Sequence, residues 1–176
     1  MHPARLFILC GLPGAGTTTR AIELEERFGA VRMSADDWLG RLDLDIWDEV
    51  ARAHIETVQR DLAEPILRAG TDVVVEWGTW ARSERDTLRA LARRAGALAH
   101  LELLDAPLDE LWRRIGERGR EQVTGSRAIT RDVLAEWSAT IDRPTDDELR
   151  SYDPMPPVRA GERPGSPAFP YGSWRP

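Results

Sequence analysis

The segment Gly11-Leu-Pro-Gly-Ala-Gly-Thr-Thr-Thr19 concentrates more chemistry than any other stretch of this 176-residue chain. Glycines at 11, 14 and 16 let a backbone curl until successive N–H groups point inward, and a helix starting just beyond adds partial positive charge. The spacing follows G-x-x-x-x-G-K-[ST], a loop that cradles phosphates, at every position but one. Gly11, Pro13, Gly14, Ala15, Gly16, Thr17, Thr18 and Thr19 are therefore read as phosphate-binding residues. Thr18 fills the hydroxyl slot that ligates the magnesium ion of a bound nucleotide. Thr17 fills the lysine slot and brings a hydroxyl without a charge. A hydrogen bond to a charged group is worth about 1.5–3 kcal/mol, or roughly ten- to a hundredfold in rate when it acts in the transition state. Either an arginine from elsewhere supplies that charge, or turnover is slow or absent.

The missing lysine belongs to a wider pattern, because all 24 basic residues are Arg. Lysine Schiff-base chemistry and pyridoxal-phosphate attachment are thereby excluded. The 30 acidic residues leave a net charge of −6, which disfavours broad binding to nucleic acid or to an anionic membrane. A lone cysteine, Cys10, rules out an internal disulfide and fits a reducing compartment. The apolar run from Leu6 to Cys10 is too short for a signal peptide, so a cytoplasmic location is expected. His2, His54 and His100 lack metal-ligand spacing.

Elements that could position such a loop are readable in order. Arg5–Cys10 reads as a strand buried on both faces, and Thr17–Phe28 as a helix with Ala21, Ile22, Leu24 and Phe28 on its apolar side. A second strand over 30–33 ends at Ser34, a helix cap before Asp36, Asp37 and Trp38. A long helix runs from about Trp47 to Arg68, with Val50, Ile55, Val58, Leu62 and Ile66 expected to face inward and Pro65 to kink or restart it. Residues 71–76 form a third strand ending in Glu76. A helix over 83–96 takes Ser83 as its cap and Gly96 as its stop. A fourth strand spans 97–104, and helices follow over 107–119 and 130–141. From about Asp142 the pattern decays, and residues 153–176, with seven prolines, read as a tail whose Tyr171 and Trp174 could dock. Alternating strands and helices predict an α/β fold with a mostly parallel sheet, covered on both faces by helices. Such sheets bind ligands at the carboxyl ends of their strands, where the Gly11 turn, Asp36/Asp37 and Glu76 all fall.

Taken together, four segments resemble the P-loop small-molecule kinases, in particular the chloramphenicol-phosphotransferase/zeta-toxin group and the related ATP-binding proteins with an AAA-type domain. They are the phosphate loop, Ser34-Ala-Asp-Asp-Trp38, Glu76-Trp-Gly-Thr-Trp-Ala-Arg82 and Leu111-Trp-Arg-Arg-Ile-Gly-Glu-Arg118. The resemblance covers about residues 5–150 and implies a three-layer P-loop fold with a helical lid. Residues 1–150 would form the nucleotide-binding domain and 151–176 a separate tail. The lysine-free loop is the one departure from the family pattern.

By this resemblance Asp36 accepts the proton of an acceptor hydroxyl, with Asp37 competing for the role; alternatively both simply charge the first turn of a helix. Glu76 takes the place of an acid that binds magnesium through water or touches the acceptor. Trp77, Trp80 and Arg82 would wall the acceptor pocket, unless the tryptophans fill the rim of the core. Arg114 and Arg118 match a lid pair that clamps phosphate or stacks on the base, with Arg120 beside them; a solvated basic face is the alternative. The implied activity moves the γ-phosphate of ATP, with Mg2+, to a hydroxyl of a small molecule. The competing reading is a nucleotide-binding sensor or scaffold that has lost turnover. A polynucleotide acceptor would need a basic channel, which the net charge opposes. Oligomeric state is left open by these residues.

Overall fold

A computed structural model of the chain describes residues 3–117 and 129–156. Its elements are β1 (Arg5–Gly11), α1 (Thr17–Phe28), β2 (Val31–Met33), α2 (Ala35–Arg41), α3 (Glu49–Arg68), β3 (Val73–Gly78), α4 (Arg82–Arg94), β4 (Leu98–Leu104), α5 (Leu108–Glu117), α6 (Arg131–Thr140) and α7 (Asp146–Leu149). The four strands form one parallel sheet in the order β2-β3-β1-β4. The expected α/β class, with its parallel sheet of four strands, is what the chain adopts.

The central strand β1 explains the layering. Its residues are apolar without alternation because both faces are covered. On one face Leu6, Ile8 and Cys10 join Val73 and Val75 of β3 and the α3 and α4 residues Ala63, Leu67, Leu88 and Leu91. On the other, Phe7 and Leu9 join Val74 and the α1 residues Ala21 and Leu24. Since β3 lies beside β1, residues just past β3 flank the loop that follows β1, and the pairing register slips between Ile8 and Cys10.

Three local expectations are corrected. Helix α3 is a single helix with Pro65 inside it and does not restart there. Proline there forfeits one bond near the helix end, at an exposed position. The inward stripe of α3 also differs: Ile55, Gln59, Ala63 and Leu67 are buried, whereas Val50, Val58 and Leu62 are exposed. Finally, α4 starts one residue before Ser83, with Ala81 as its cap position. There the Ala81 N–H donates to the Glu84 carboxylate at 3.0 Å.

Residues after Asp142 are more ordered than their hydropathy suggests. Glu148 of α7 is buried against Arg85 of α4, which donates to its two oxygens at 2.7 and 2.9 Å. Tyr152 is buried as well. The Asp153 N–H donates to the Ala99 carbonyl at 2.8 Å, and its carboxylate accepts from the Ala99 N–H at 2.8 Å. Tyr171 and Trp174 lie outside the described residues.

Candidate active site at the carboxyl ends of the strands

The loop between β1 and α1 owes its shape to two glycines in the left-handed region, Gly14 at φ 86° and Gly16 at φ 99°. Gly14 is tightly enclosed, since a Cβ there would lie 2.8 Å from the Leu111 carbonyl oxygen of α5. Gly14→Ala is therefore expected to cost at least about 1–2 kcal/mol from backbone conformation alone. The collision with α5 adds to that cost. Urea unfolding measures the loss, and a variant as stable as the wild type would refute the enclosure.

Within the loop Ala15 is buried and its N–H donates to Leu12 O at 3.0 Å. Pro13 and Thr17 are half-buried, and Thr18 and Thr19 are exposed at the start of α1. From α5, Arg114 reaches over the loop, its Nη1 lying 3.5 Å from Gly14 O while Glu110 accepts from its Nε at 2.7 Å. Arg118 and Arg120, the other expected lid arginines, lie outside the described residues.

Glu76 lies two residues before the end of β3, which starts and stops two residues later than the expected 71–76, and faces the α1 side of the sheet. Its side chain is only 4% exposed, and Oε1 accepts from Arg32 at 2.9 Å. Oε2 is buried without a hydrogen-bond partner among the described residues. Arg32 also bonds Asp37 and reaches Glu25 at 3.2 Å, so one guanidinium gathers three carboxylates. Burial pushes the Glu76 carboxyl above its ordinary value of 4.5, against the pull of the Ser34 hydroxyl and Arg32. For a carboxyl whose folded value is raised, the associated stability is complete below 4.5 and is lost as pH rises through the raised value. Glu76→Gln is thus expected to gain stability relative to the wild type as pH climbs toward neutrality. Urea midpoints at acid and neutral pH test this; a gap that stays constant with pH would contradict it.

Asp36 and Asp37 diverge from the first turn of α2, which Ser34 caps by accepting from the Asp37 N–H at 3.3 Å. While Asp37 turns to Arg32, Asp36 is 67% exposed and pairs with Arg52 of α3. Arg52 is braced in turn by the Ile46 carbonyl at 3.2 Å.

The segment after Glu76 is ordered by polar contacts. Trp77 donates through Nε1 to Gln59 at 2.5 Å, and Gln59 donates to Ser34 O at 3.1 Å, tying β3 to the cap of α2. Trp80 donates through Nε1 to Gly11 O at 2.9 Å, so it touches the phosphate loop directly. Between them Thr79 holds φ at 42°, which is strained for a β-branched residue. Its hydroxyl bonds Leu9 O at 2.9 Å, and Arg85 donates to the Thr79 and Trp80 carbonyls at 3.0 Å each. Arg82 instead lies along α4, 3.6 Å from Asp86.

The structure thus sets Arg114 and Trp80 against the loop and gathers Asp37 with Glu76 around Arg32, while Asp36 pairs with Arg52 instead. Sequence reasoning missed Arg32, Arg52, Gln59 and Arg85. A charged residue inside the short strand before Ser34 was the one available signal, and it pointed to Arg32.

A parallel sheet in this order, with a glycine-rich turn leading from β1 into α1, defines the P-loop fold. The chain belongs to the AAA-domain family, whose model matches residues 6–144. It is similar in fold to a chain of the Pnkp1/Rnl/Hen1 RNA repair complex, at 18% identity over 98% of this chain and 51% of that one, with a TM-score of 0.67. This chain therefore spans about half the length of that relative. A gluconokinase from Sinorhizobium meliloti matches at 18% identity over 82% and 78% of the two chains, with a TM-score of 0.56. The APS kinase of Mycobacterium tuberculosis, solved with AMPPNP and APS, matches at 18% identity over 74% and 84%, with a TM-score of 0.55. A search of curated proteins gives no match. Among the described residues no helix is long and apolar enough to cross a membrane.

Proposed function

We propose that the chain is an ATP-dependent phosphotransferase of the chloramphenicol-phosphotransferase/zeta-toxin type, acting in the cytoplasm on a hydroxyl of a small molecule. The observation that carries this reading is Glu76: a buried carboxylate with one oxygen unpartnered among the described residues, near the end of the strand beside the phosphate-loop strand.

Backbone N–H groups of Gly11–Thr19 would hold the nucleotide phosphates. Magnesium fits the residues present, because Glu76 offers an orphaned oxygen and Thr18 an exposed hydroxyl. Among the described residues no cluster of three acidic, His or Cys side chains could hold a metal. One or two protein oxygens plus nucleotide phosphates are the usual magnesium set. When bound, that ion would neutralise charge on the transferred phosphoryl group.

Asp36 is exposed enough to meet an acceptor hydroxyl, orient it and take its proton late in transfer. Arg52 keeps the carboxylate fixed until the acceptor arrives. Asp37 and Glu76, organised by Arg32, would contact the acceptor or the magnesium shell. Arg114, with Arg118 and Arg120, would neutralise the transferred phosphate, and Trp77, Trp80 and Arg82 would bound the acceptor side. The net charge of −6 opposes a polynucleotide acceptor.

Thr17 favours a second reading, a nucleotide-binding protein without turnover. Titration of the wild type with Mg-ATP, followed by ADP release with and without acceptor mixtures, separates the two. Binding with turnover supports the transferase and binding alone the sensor. A folded protein that does not bind Mg-ATP would defeat both.

A further inference from the structure

Between α3 and α4, beside the end of β3, lies a cavity of about 70 Å3. That is room for roughly two water-sized groups, enough for one edge of a small ring. Glu56 and Arg60 line it from α3, Trp77 and Thr79 from the end of β3, and Glu84 and Thr87 from α4.

Three of these side chains have bonding capacity left. Glu56 approaches Arg52 only at 3.9 Å, and burial pushes its carboxyl above the usual range. Glu84 uses Oε2 to accept from the Ala81 N–H, which leaves Oε1. Arg60 donates to the Thr57 hydroxyl at 3.3 Å, attracts Glu56 from one helical turn away, and forms no ion pair within 4.0 Å among the described residues. Trp77 has its indole orientation fixed by the bond to Gln59, so the cavity has a rigid apolar wall.

A ligand here meets two carboxylates that accept and one guanidinium that only donates. An ammonium group would satisfy the carboxylates but face Arg60. A carboxylate or phosphate would satisfy Arg60 but face Glu56 and Glu84. A hydroxyl both donates and accepts, so a group carrying several of them satisfies all three residues without bringing a charge. The C–H face of a ring then suits the indole of Trp77.

We propose that this cavity is the acceptor site, and that it takes an uncharged polyhydroxylated molecule, a sugar or cyclitol, held by Glu56, Arg60 and Glu84 against Trp77. The proposal rests on the phosphotransferase reading and narrows its acceptor class.

Calorimetric titration of the full chain with D-glucose, D-ribose and myo-inositol tests it, with glucosamine and gluconate as charged comparators and Mg-ATP titrated separately. At least one neutral probe is expected to bind saturably, at least tenfold more tightly than either charged one. Arg60→Met and Glu56→Leu should each weaken that binding about ten- to a hundredfold, the loss of a hydrogen bond to a charged group. Mg-ATP binding should stay within twofold of the wild type in both. The ribose, glucose and inositol arms distinguish sugar from cyclitol. No saturable neutral binding up to about 50 mM, the weak limit of specific recognition, overturns the proposal, as does tighter binding of a charged probe. A protein that binds Mg-ATP but no polyol defeats this inference alone. One that binds a polyol but no Mg-ATP defeats the transferase reading and supports the ligand class assigned to the cavity.

Discussion

Thr17→Lys is expected to raise ATP turnover about ten- to a hundredfold over the wild type, the worth of one charged hydrogen bond gained in the transition state. Thr17 is half-buried at the first turn of α1, where a longer side chain can extend toward bound phosphate. The measurement is ADP release at saturating Mg-ATP. A wild type that already matches Thr17→Lys would mean that an arginine supplies the charge. Arg114, 3.5 Å from Gly14 O, is the first to remove, followed by Arg118 and Arg120.

The second large effect concerns Arg85. Arg85→Leu is expected to cost about 3–5 kcal/mol of folding stability, because it strands Glu148 as a buried, uncompensated charge. Both side chains are almost wholly excluded from solvent, at 0% and 1% exposure. The same change removes the guanidinium bond to the Thr79 carbonyl and leaves the Trp80 carbonyl only its bond from the Asp142 N–H at 3.1 Å, so the strained turn carrying Trp80 to the phosphate loop loses most of its brace. Urea unfolding gives the magnitude. The double variant Arg85→Leu/Glu148→Leu should recover much of the loss, since an apolar pair can replace a buried ion pair at little cost. A single-variant loss below about 1 kcal/mol, typical of an exposed pair, would refute the assignment.

Most of the scaffold was legible because it rests on local signals. Thr17–Phe28 is a helix at both expected ends, since a glycine lies on either side of it. The central strands β1 and β3 appear in order, because continuous apolar runs bounded by turn residues mark doubly covered strands. The face of α3 was not legible. Gln59 is buried by a paired role, accepting from Trp77 and donating to Ser34 O, whereas hydropathy favoured Val58 and Leu62. In the site, residues adjacent in sequence to glycine or to strand ends were found. Those acting across the fold were not: Arg32 meets Glu76 from 44 positions away and Arg85 meets Glu148 from 63. No periodicity encodes such pairs.

Asp153 has a consequence for the exposed side of the sheet. In the order β2-β3-β1-β4, strand β4 is an outer strand, and an unpaired outer strand is a template onto which another chain can add. By occupying both backbone groups of Ala99, with Arg93 bonding its carboxylate at 2.8 Å, Asp153 denies that position to any intruding strand. A form trimmed just ahead of it would keep the whole phosphate loop and yet expose a sticky β-edge. Loss of solubility in such a form would then reflect an uncovered edge and say nothing about the candidate site.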